Sequence, residues 1–195
     1  MSLRSFIFTG SLSFLLLFCP WHSTLDLSLA PEAVTAIEGS SLSISRYDKL
    51  VRRHAATIGW DWRLIAAIIY HESRFHNEAT SEKGATGLMQ IHSTRYSTED
   101  LLDPDFNIFV GCRYLGRLEK MYETANHPEA VKFALAAFNL GDGKISHHIE
   151  ETRGKGLDAT RWSNVATCLP KGHHTVAYVE KVLDTYAYYR QQYPI

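Results

Sequence analysis

The amino-acid sequence predicts an all-α protein, and three features of its patterning carry that prediction. Apolar residues beyond position 46 recur every three or four residues in most stretches, the spacing that places them on one face of a helix. Capping residues, glycines and prolines fall at the ends of those stretches. No series of segments alternates apolar and polar residues with a period of two, so a β-sheet is not predicted. At 195 residues, the chain is long enough for one compact domain with a sizeable core.

The first 30 residues are predicted to form a leader rather than part of that domain. Arg4 precedes an apolar run over residues 6–18, which is short for a membrane span and typical of the hydrophobic region of a secretory signal peptide. We interpret residues 1–30 as a signal peptide or N-terminal anchor and expect the protein to be exported. Lipidation at Cys19 is disfavoured, because a small residue is expected before a lipidated cysteine and Phe18 is bulky. Residues 31–45 contain many small residues without a firm period and predict a flexible tether.

Charge and cysteine content narrow the classes of partner and compartment. Basic and acidic residues nearly balance, 20 against 21, so no polycationic surface for nucleic acid is predicted. Aromatic residues make up 12% of the chain, which suits either a filled core or a groove that stacks on sugars. Beyond the leader the cysteines are Cys112 and Cys168. In an oxidising compartment they can pair as a disulfide, and as buried thiols they would pack in the core; both alternatives stay open.

The first two predicted helices follow one another closely. Apolar positions from Tyr47 to Ile58 recur at helix spacing, and Gly59 ends the run. Asp61 is placed to cap the next helix, because its carboxylate can accept from the free N–H groups of the first turn. The apolar stripe of this second helix consists of Leu64, Ile65, Ile68 and Ile69.

The rest of the chain is predicted to alternate loops and helices. A loop rich in Ser, Gly and Asn spans residues 75–87 and leads into a short apolar piece at residues 88–91. Pro128 marks the start of a helix whose residues 130–138 are almost wholly alanine and apolar, so that helix should lie at the centre of the fold. Gly141 and Gly143 are expected to end it. The remaining helices are predicted over residues 106–122, 163–168 and 174–191.

Glu72 lies on an apolar helical face, where a carboxylate is unusual. It follows Ile65 by seven positions and Ile68 by four, so it shares the face that points at the core. A glutamate at a helix end is usually solvated, but this face should hold the carboxyl at the edge of a cavity. Loss of water penalises the anion and raises the pKa, which lets a carboxylic acid stay protonated near neutral pH and donate a proton. Glu72 is therefore the candidate catalytic acid.

The segment after Glu72 has the residue types of a ligand-binding loop. Residues 84–87 (GATG) supply glycines, which permit sharp turns and a close approach of a ligand to the backbone. Gln90 carries both a donor and an acceptor, as recognition of sugar hydroxyls and acetamides requires. Taken singly, the glycines are ordinary turn residues and Gln90 an ordinary surface glutamine. Together they outline a polar loop folded over the carboxyl.

Three motifs with matching spacing resemble those of a known family. They are residues 72–75 (ESRF), residues 84–90 (GATGLMQ, preceded by Ser81) and residues 136–141 (AAFNLG). In this order they resemble the catalytic domain of the soluble-type lytic transglycosylases (SLT domain), relatives of goose-type lysozyme, and the match covers residues 46–192. The resemblance implies a lysozyme-like helical fold with a glycan-binding groove for peptidoglycan strands of alternating N-acetylglucosamine and N-acetylmuramic acid.

The resemblance also implies roles for individual residues. Glu72 matches the family's single catalytic acid and base, and Ser81 matches a residue that contacts the substrate acetamide. Residues 173–179 (HHTVAYV) resemble a closing motif in which Tyr178 matches a groove-facing tyrosine. The other positions that match substrate-binding motif residues are Gly87, Met89, Gln90, Phe138 and Asn139.

Two positions depart from the family pattern. Phe138 stands where the family usually has tyrosine, and His174 stands where it usually has glutamate. The first change removes a hydroxyl that could support Glu72 or the sugar, and the second replaces an anion with a titratable group. We expect a reduced rate or a changed substrate preference rather than an inactive enzyme, because the proton donor Glu72 is present.

The implied reaction is a non-hydrolytic cleavage of the β-1,4 bond between N-acetylmuramic acid and N-acetylglucosamine that leaves 1,6-anhydromuramyl ends. Most glycosidases place two carboxylates across the bond, whereas these motifs supply one. The resemblance implies that the N-acetyl and C6 hydroxyl groups of the substrate take the second role, without a cofactor or metal. We expect a monomer in the periplasm or cell envelope that acts on peptidoglycan strands. A membrane tether and a cell-wall or secretion assembly are partners that the sequence leaves open.

Three other interpretations are compatible with these residues. A lysozyme-type hydrolase would leave free reducing ends on its products. A non-catalytic glycan-binding module is favoured by Phe138 and His174. A zinc peptidase is suggested by His71 beside Glu72, but the second histidine, His76, comes one position late, which turns it about 100° round the helix from the required face.

Overall fold

Eight helices form the part of the chain that the computed structural model describes, which is residues 42–92, 94–123 and 127–194. In chain order they are α1 Asp48–Ala56, α2 Trp62–Ser73, α3 Thr98–Leu102, α4 Pro104–Met121, α5 His127–Leu140, α6 Asp142–Gly154, α7 Trp162–Ala166 and α8 His174–Gln192. Within those residues there is no strand, only isolated bridges that join Thr80 to Thr86 and Thr86 to Ile91. The predicted all-α class is confirmed for this part of the chain.

The described residues belong to one unit, Leu42–Ile195. The predicted leader and most of the predicted tether, residues 1–41, lie outside them. The Asp48 carboxylate accepts hydrogen bonds from the backbone N–H groups of Ile44 at 2.8 Å and Ser45 at 2.9 Å, so the end of the predicted tether is attached to α1. In the ranges that are described, no helix is long and apolar enough to cross a membrane.

α2 is buried on nearly every side, because α1 and α8 pack against it. Its residues 64–69 (LIAAII) are all buried. Asp61 caps its N-terminus as predicted and accepts from the backbone N–H of Arg63 at 2.9 Å. The hydroxyl of Tyr186 donates to Asp61 Oδ2 at 3.0 Å, and the buried Arg63 guanidinium donates to the carbonyl of Tyr193 at 2.9 Å. These bonds fix the C-terminal end of α8 to the start of α2.

α5 is the second interior helix, as its composition predicts. Its residues 130, 131 and 133–137 are buried, and α4, α6 and α8 pack around it. Gly141, with φ of 99°, ends α5. Gly143 does not end it but lies in α6, a helix that the sequence pattern does not predict. α6 carries Ile145 and Ile149 in an otherwise polar segment, so its apolar periodicity is weak.

α3 and α4 are joined by a sharp boundary. α3 has five residues, too few to show a period, and begins with a capping box formed by Ser97 and Asp100. Asp103 caps α4 by accepting from Phe106 N at 2.7 Å, and Pro104 occupies the first helical position. α4 therefore begins two residues before the predicted start at residue 106.

Cys112 and Cys168 are free thiols in the structure. Cys112 is buried in α4, where burial raises the pKa of its thiol to about 12. The sulfur of Cys168 lies 3.2 Å from the hydroxyl of Thr152 and 3.3 Å from Nζ of Lys155. Of the two alternatives left open by the sequence, the structure has the separate thiols rather than the disulfide.

Candidate active site

Glu72 lies in the last turn of α2, where its carboxyl meets a tyrosine from α8. The hydroxyl of Tyr178 donates to Glu72 Oε1 at 2.6 Å. Burial raises the pKa of Glu72 to about 7, and the hydrogen bond from Tyr178, which favours the carboxylate, opposes that rise. Burial and the neighbouring carboxyl hold the pKa of Tyr178 well above its usual value, so its phenol keeps the proton and acts as the donor. A carboxyl with a pKa near 7 populates both protonation states at neutral pH, so it can give and later take a proton.

Two consecutive left-handed residues end α2 directly after Ser73. Arg74 has φ of 53° and Phe75 has φ of 61°, values that are uncommon for residues with a Cβ. The Arg74 guanidinium lies over the Tyr70 ring, 3.9 Å from its centroid, and the Phe75 ring lies 6.3 Å from the same centroid. The turn places Glu72 one residue from the helix end and leads the chain into the loop over residues 76–91.

Ser81 and Gln90, two predicted substrate-binding residues, hold this loop together. The Ser81 N–H donates to the carbonyl of Ala85 at 2.8 Å, and its hydroxyl oxygen accepts from Ala85 N at 2.9 Å. Gln90, with φ of 47°, donates through Nε2 to the carbonyls of Ala79 and Gly87 at 3.0 Å each. Each side chain retains a second function for a ligand, the hydroxyl hydrogen of Ser81 and the amide oxygen of Gln90.

Gly87 and Met89 lie in the interior rather than on a ligand-binding surface. Gly87 has φ of 80°, and a Cβ there would lie 2.2 Å from Nδ2 of Asn107 and 2.4 Å from the carbonyl oxygen of Leu101. The Met89 side chain is completely buried and packs against Gly111 of α4. The expectation that these two residues contact substrate is therefore corrected, because glycine is required at position 87 for space and Met89 is a core residue.

Phe138 and Asn139, at the end of α5, contact neighbouring helices. The partly buried Phe138 ring packs on Tyr114, with 5.7 Å between the ring centroids. The side-chain oxygen of Asn139 accepts from the hydroxyl of the buried Thr175 at 2.7 Å. This bond ties the end of α5 to the first turn of α8, three residues before Tyr178, so Asn139 helps to position the helix that supplies the tyrosine.

His174 is the first residue of α8, and its ring stacks on that of His173 with 4.3 Å between the centroids. His173 caps the helix, because its Nδ1 accepts from Thr175 N at 3.2 Å. His174 precedes Tyr178 by four residues and so lies one turn away on the same face of α8. His174, where the resemblance implies glutamate, therefore lies one helical turn before Tyr178.

Comparison with known sequences identifies the family. The family model described as the transglycosylase SLT domain matches residues 49–160, more than half of the chain. The chain belongs to the transglycosylase SLT domain family. The resemblance found in the motifs is confirmed, and the match includes Glu72, the loop after it and the end of α5.

Curated relatives of this SLT domain are longer proteins. Membrane-bound lytic murein transglycosylase F of Desulfosudis oleivorans is 30% identical over 171 residues, which cover 76% of this chain and 37% of the relative. The protein of the same name from Stutzerimonas stutzeri is 36% identical over 132 residues, which cover 66% of this chain and 27% of the relative. The chain thus spans about a third of the length of the curated relatives that it matches.

Solved structures with the same fold come from soluble lytic transglycosylases. The 70 kDa enzyme of Escherichia coli superposes with a TM-score of 0.62 at 28% identity, over 75% of this chain and 24% of that chain. A complex of the 70 kDa soluble lytic transglycosylase with bulgecin A gives a TM-score of 0.64 at 27% identity, over 77% of this chain and 25% of that chain. The predicted lysozyme-like helical fold of the SLT domain is confirmed.

The zinc interpretation does not fit the geometry of this SLT domain. The helix that carries His71 ends at Ser73, so His76 lies outside it. The two histidines therefore do not share a helical face, as the ligands of a zinc-binding helix must. His71 Nε2 instead contacts the hydroxyl of Thr185 at 2.8 Å. Across the described ranges, no group of three or more His, Cys, Asp or Glu side chains is arranged to hold a metal ion.

Three residues that support the SLT-domain site were outside the sequence prediction: Ser73, Asn107 and Thr175. Ser73 and Thr175 lie inside quoted motifs, but their hydroxyls bond to backbone or side chains within the protein. Asn107 lies outside the motifs, four positions before Gly111 on the buried face of α4. A polar residue on an apolar helical face is the signal that could have drawn attention to it, as it did for Glu72.

Proposed function

We propose that this chain is a peptidoglycan lytic transglycosylase in which Glu72 acts first as general acid and then as general base. One observation carries the proposal: Glu72 is a buried carboxyl whose pKa lies at about 7 and which bonds to Tyr178. The names of the relatives, lytic murein transglycosylases, support the reaction and the substrate class. The proposed substrate is the glycan strand of peptidoglycan, cut between N-acetylmuramic acid and N-acetylglucosamine.

In the acid step, the protonated Glu72 donates to the glycosidic oxygen while positive charge develops at the muramyl C1. Protonation of the leaving oxygen lowers the barrier to bond cleavage, as general acids do in glycosidases. The neighbouring N-acetyl group of the substrate stabilises the developing cation. The matched motifs supply one carboxyl, so the substrate takes the role that a second carboxylate has in most glycosidases.

In the base step, the Glu72 carboxylate removes the proton from the muramyl C6 hydroxyl, which closes on C1. The product is a 1,6-anhydromuramyl end, and Glu72 is again protonated for the next cycle. A nucleophile held in the same sugar ring benefits from a high effective concentration and needs no activated water. Between the two steps, the hydrogen bond from Tyr178 stabilises the carboxylate.

The substrate groove is proposed to run past the loop over residues 76–91 and the end of α5. Ser81, Gln90, Phe138 and Asn139 are its proposed contacts, with Tyr178 acting chiefly through Glu72. Each of the first two keeps a polar function beyond its contacts in the loop, suited to sugar hydroxyls and acetamides. The relatives named as membrane-bound support a location in the periplasm or cell envelope.

Mass spectrometry of digested peptidoglycan tests this function. A lytic transglycosylase releases muropeptides with anhydro ends, each lighter by one water than the hydrolysed product. We expect Glu72→Gln to release none, because glutamine cannot donate or accept the proton. The control Glu150→Gln, at an exposed position of α6 outside the proposed groove, should leave the products unchanged. Products with free reducing ends would establish a hydrolase instead. A parent protein that binds glycan strands but releases nothing would establish a binding module.

A further inference from the structure

Asn107 is a completely buried polar residue whose amide bonds only to backbone atoms. Its Nδ2 donates to the carbonyl of Thr86 at 2.9 Å and to that of Leu101 at 2.8 Å, and its Oδ1 accepts from Met89 N at 2.8 Å. Two of these partners belong to the loop that follows Glu72 in sequence. Asn107 is thus a clamp from α4 on the backbone of residues 86–89.

The same segment is also attached to the helix that carries the carboxyl. The hydroxyl of Ser73, the residue after Glu72, donates to the carbonyl of Leu88 at 2.8 Å. The backbone of residues 86–89 is therefore held between α4 and the end of α2. The next residue, Gln90, is fixed in turn by its two bonds to loop carbonyls.

The clamp has no spare volume. A Cβ at position 87 would overlap the Asn107 amide, and a Cβ at Gly111 would lie 2.3 Å from the sulfur of Met89. Because loop and helix interlock in this way, a change of side chain at the clamp must shift the loop backbone rather than be absorbed locally.

We infer that Asn107 is a positioning residue for the reaction at Glu72, holding residues 86–89 against the end of α2 so that the loop beside the carboxyl keeps one geometry and excludes water. The inference rests on the proposed function and extends it to a residue outside the matched motifs. Asn107 touches neither the carboxyl nor the proposed sugar contacts, and it acts through the backbone that carries them.

Asn107→Asp tests the clamp with little change in side-chain volume. Aspartate keeps the acceptor for Met89 N. As a carboxylate it loses both donors and faces the carbonyls of Thr86 and Leu101, and as a neutral acid it can donate to only one of them. We expect kcat on defined glycan oligosaccharides to fall about 10- to 100-fold, as small misplacements near a reacting group do. KM should change much less. Carbon NMR of the labelled Glu72 carboxyl should show its pKa moving from about 7 towards 4.5 as water enters.

Two further variants keep the test decisive. Ser73→Ala removes a single bond to the same segment and should give the same kinetic and NMR changes in smaller measure. Thr152→Val is the matched control, because Thr152 is also completely buried and donates to the His148 carbonyl, but on α6. It should lower the melting temperature without altering kcat or the Glu72 titration.

The outcomes separate this inference from the proposed function. If Asn107→Asp folds and keeps the kcat and the Glu72 pKa of the parent, the inference is wrong and Asn107 contributes only to stability. If that variant does not fold, a Ser73→Ala protein with the parent's kcat and Glu72 pKa would likewise overturn the inference. A parent protein without activity on peptidoglycan would overturn the proposed function, whereas a shifted carboxyl titration in Asn107→Asp would still support the clamp.

Discussion

At the scale of single residues, Glu72 is subject to two opposing influences. Burial disfavours its charged form, and the hydrogen bond from Tyr178 favours it. Desolvation is the larger effect, so the pKa settles at about 7 rather than near 4.5. A lone carboxyl that must serve as acid and base in one cycle needs this balance, because either influence alone would favour one protonation state.

Glu72→Gln should stabilise the fold at alkaline pH. The folded-state pKa of Glu72 is raised above its unfolded value, so stability is full below pH 4.5 and is lost as the pH rises through 7. Glutamine carries no such penalty and should raise the free energy of unfolding by up to about 3 kcal/mol at pH 9, with little change at pH 4. Urea denaturation at both pH values measures the difference, and an equal effect at both would contradict the assigned pKa.

Tyr178→Phe should move the alkaline limb of the pH–rate profile to higher pH and lower kcat. Removal of the hydroxyl takes away a bond that lowers the pKa of Glu72, so that pKa rises further, and the carboxylate that serves as base loses its donor. A hydrogen bond to a charged group corresponds to roughly a 10- to 100-fold change in rate. Tyr188→Phe, at an exposed tyrosine of α8, is the control. An alkaline limb that stays in place would refute the role given to Tyr178.

At the scale of elements, side-chain bonds anchor the start of α2, the helix that carries Glu72 at its other end. Asp61 caps the helix and pairs with the guanidinium of Arg63 at 2.6 Å. Burial raises the pKa of Asp61, but the hydrogen bonds from Arg63 and Tyr186 outweigh it and hold that pKa below its usual range. Since Tyr186 lies on α8, this cluster sets how α8 lies on α2, and thus where Tyr178 meets Glu72.

Asp61→Asn should destabilise the protein far more than Asp105→Asn. Asparagine can still cap α2, but it leaves the Arg63 guanidinium, whose side chain is 6% exposed, without its counter-ion. The free energy of unfolding should therefore fall by about 3 kcal/mol or more. Asp105 bonds to His54 and Arg53, and its own side chain is 48% exposed while that of Arg53 is 56% exposed. Asparagine keeps an oxygen that can accept from both partners, so this substitution should cost at most about 1 kcal/mol. Thermal unfolding at pH 7 compares the two variants. The difference in stability between the two variants should become smaller in acid, because the stabilisation by Asp61 is lost as the pH falls through the lowered pKa of its carboxyl.

The elements show what patterning could and could not predict. α2 and α5 have long apolar sequences and were predicted together with the residues at their starts, Asp61 as the cap of α2 and Pro128 as the start of α5. α6 was missed because a helix that buries little besides Ile145 and Thr152 leaves no clear period in the sequence. The site was also predicted only in part. The position of Glu72 on an apolar helical face identified it from sequence, whereas the burial of Met89 depends on its contact with Gly111 of another helix.

At the scale of the whole molecule, the two thiols report on the integrity of the fold. Cys168 should react with iodoacetamide in the native protein, since the residue is partly exposed. Cys112 should react only after unfolding, because it is buried and the pKa of its thiol is raised to about 12. Peptide mapping by mass spectrometry identifies each labelled site. Recovery of a peptide pair that joins Cys112 to Cys168 under non-reducing conditions would contradict the structure.

Contacts between distant parts of the chain were beyond prediction from local pattern. The bonds from Asn139 to Thr175 and from Arg63 to Tyr193 join segments far apart in sequence. Only packing of α2, α5 and α8 brings such partners together, and periodicity says which face is apolar but not which helix covers it. The family resemblance supplied Tyr178 as a groove residue, whereas its bond to Glu72 is visible only in the folded protein.

The distance along the chain between Glu72 and Tyr178, 106 positions, has a consequence for biosynthesis. During synthesis from the N-terminus, Glu72 is made long before Tyr178. Until α8 packs on α2, the end of α2 stays exposed to water. In that interval Glu72 titrates as an ordinary glutamate and is a poor proton donor at neutral pH. We therefore expect a nascent chain, or a chain truncated before α8, to lack the proposed catalytic activity, which should appear only after α8 has folded onto α2.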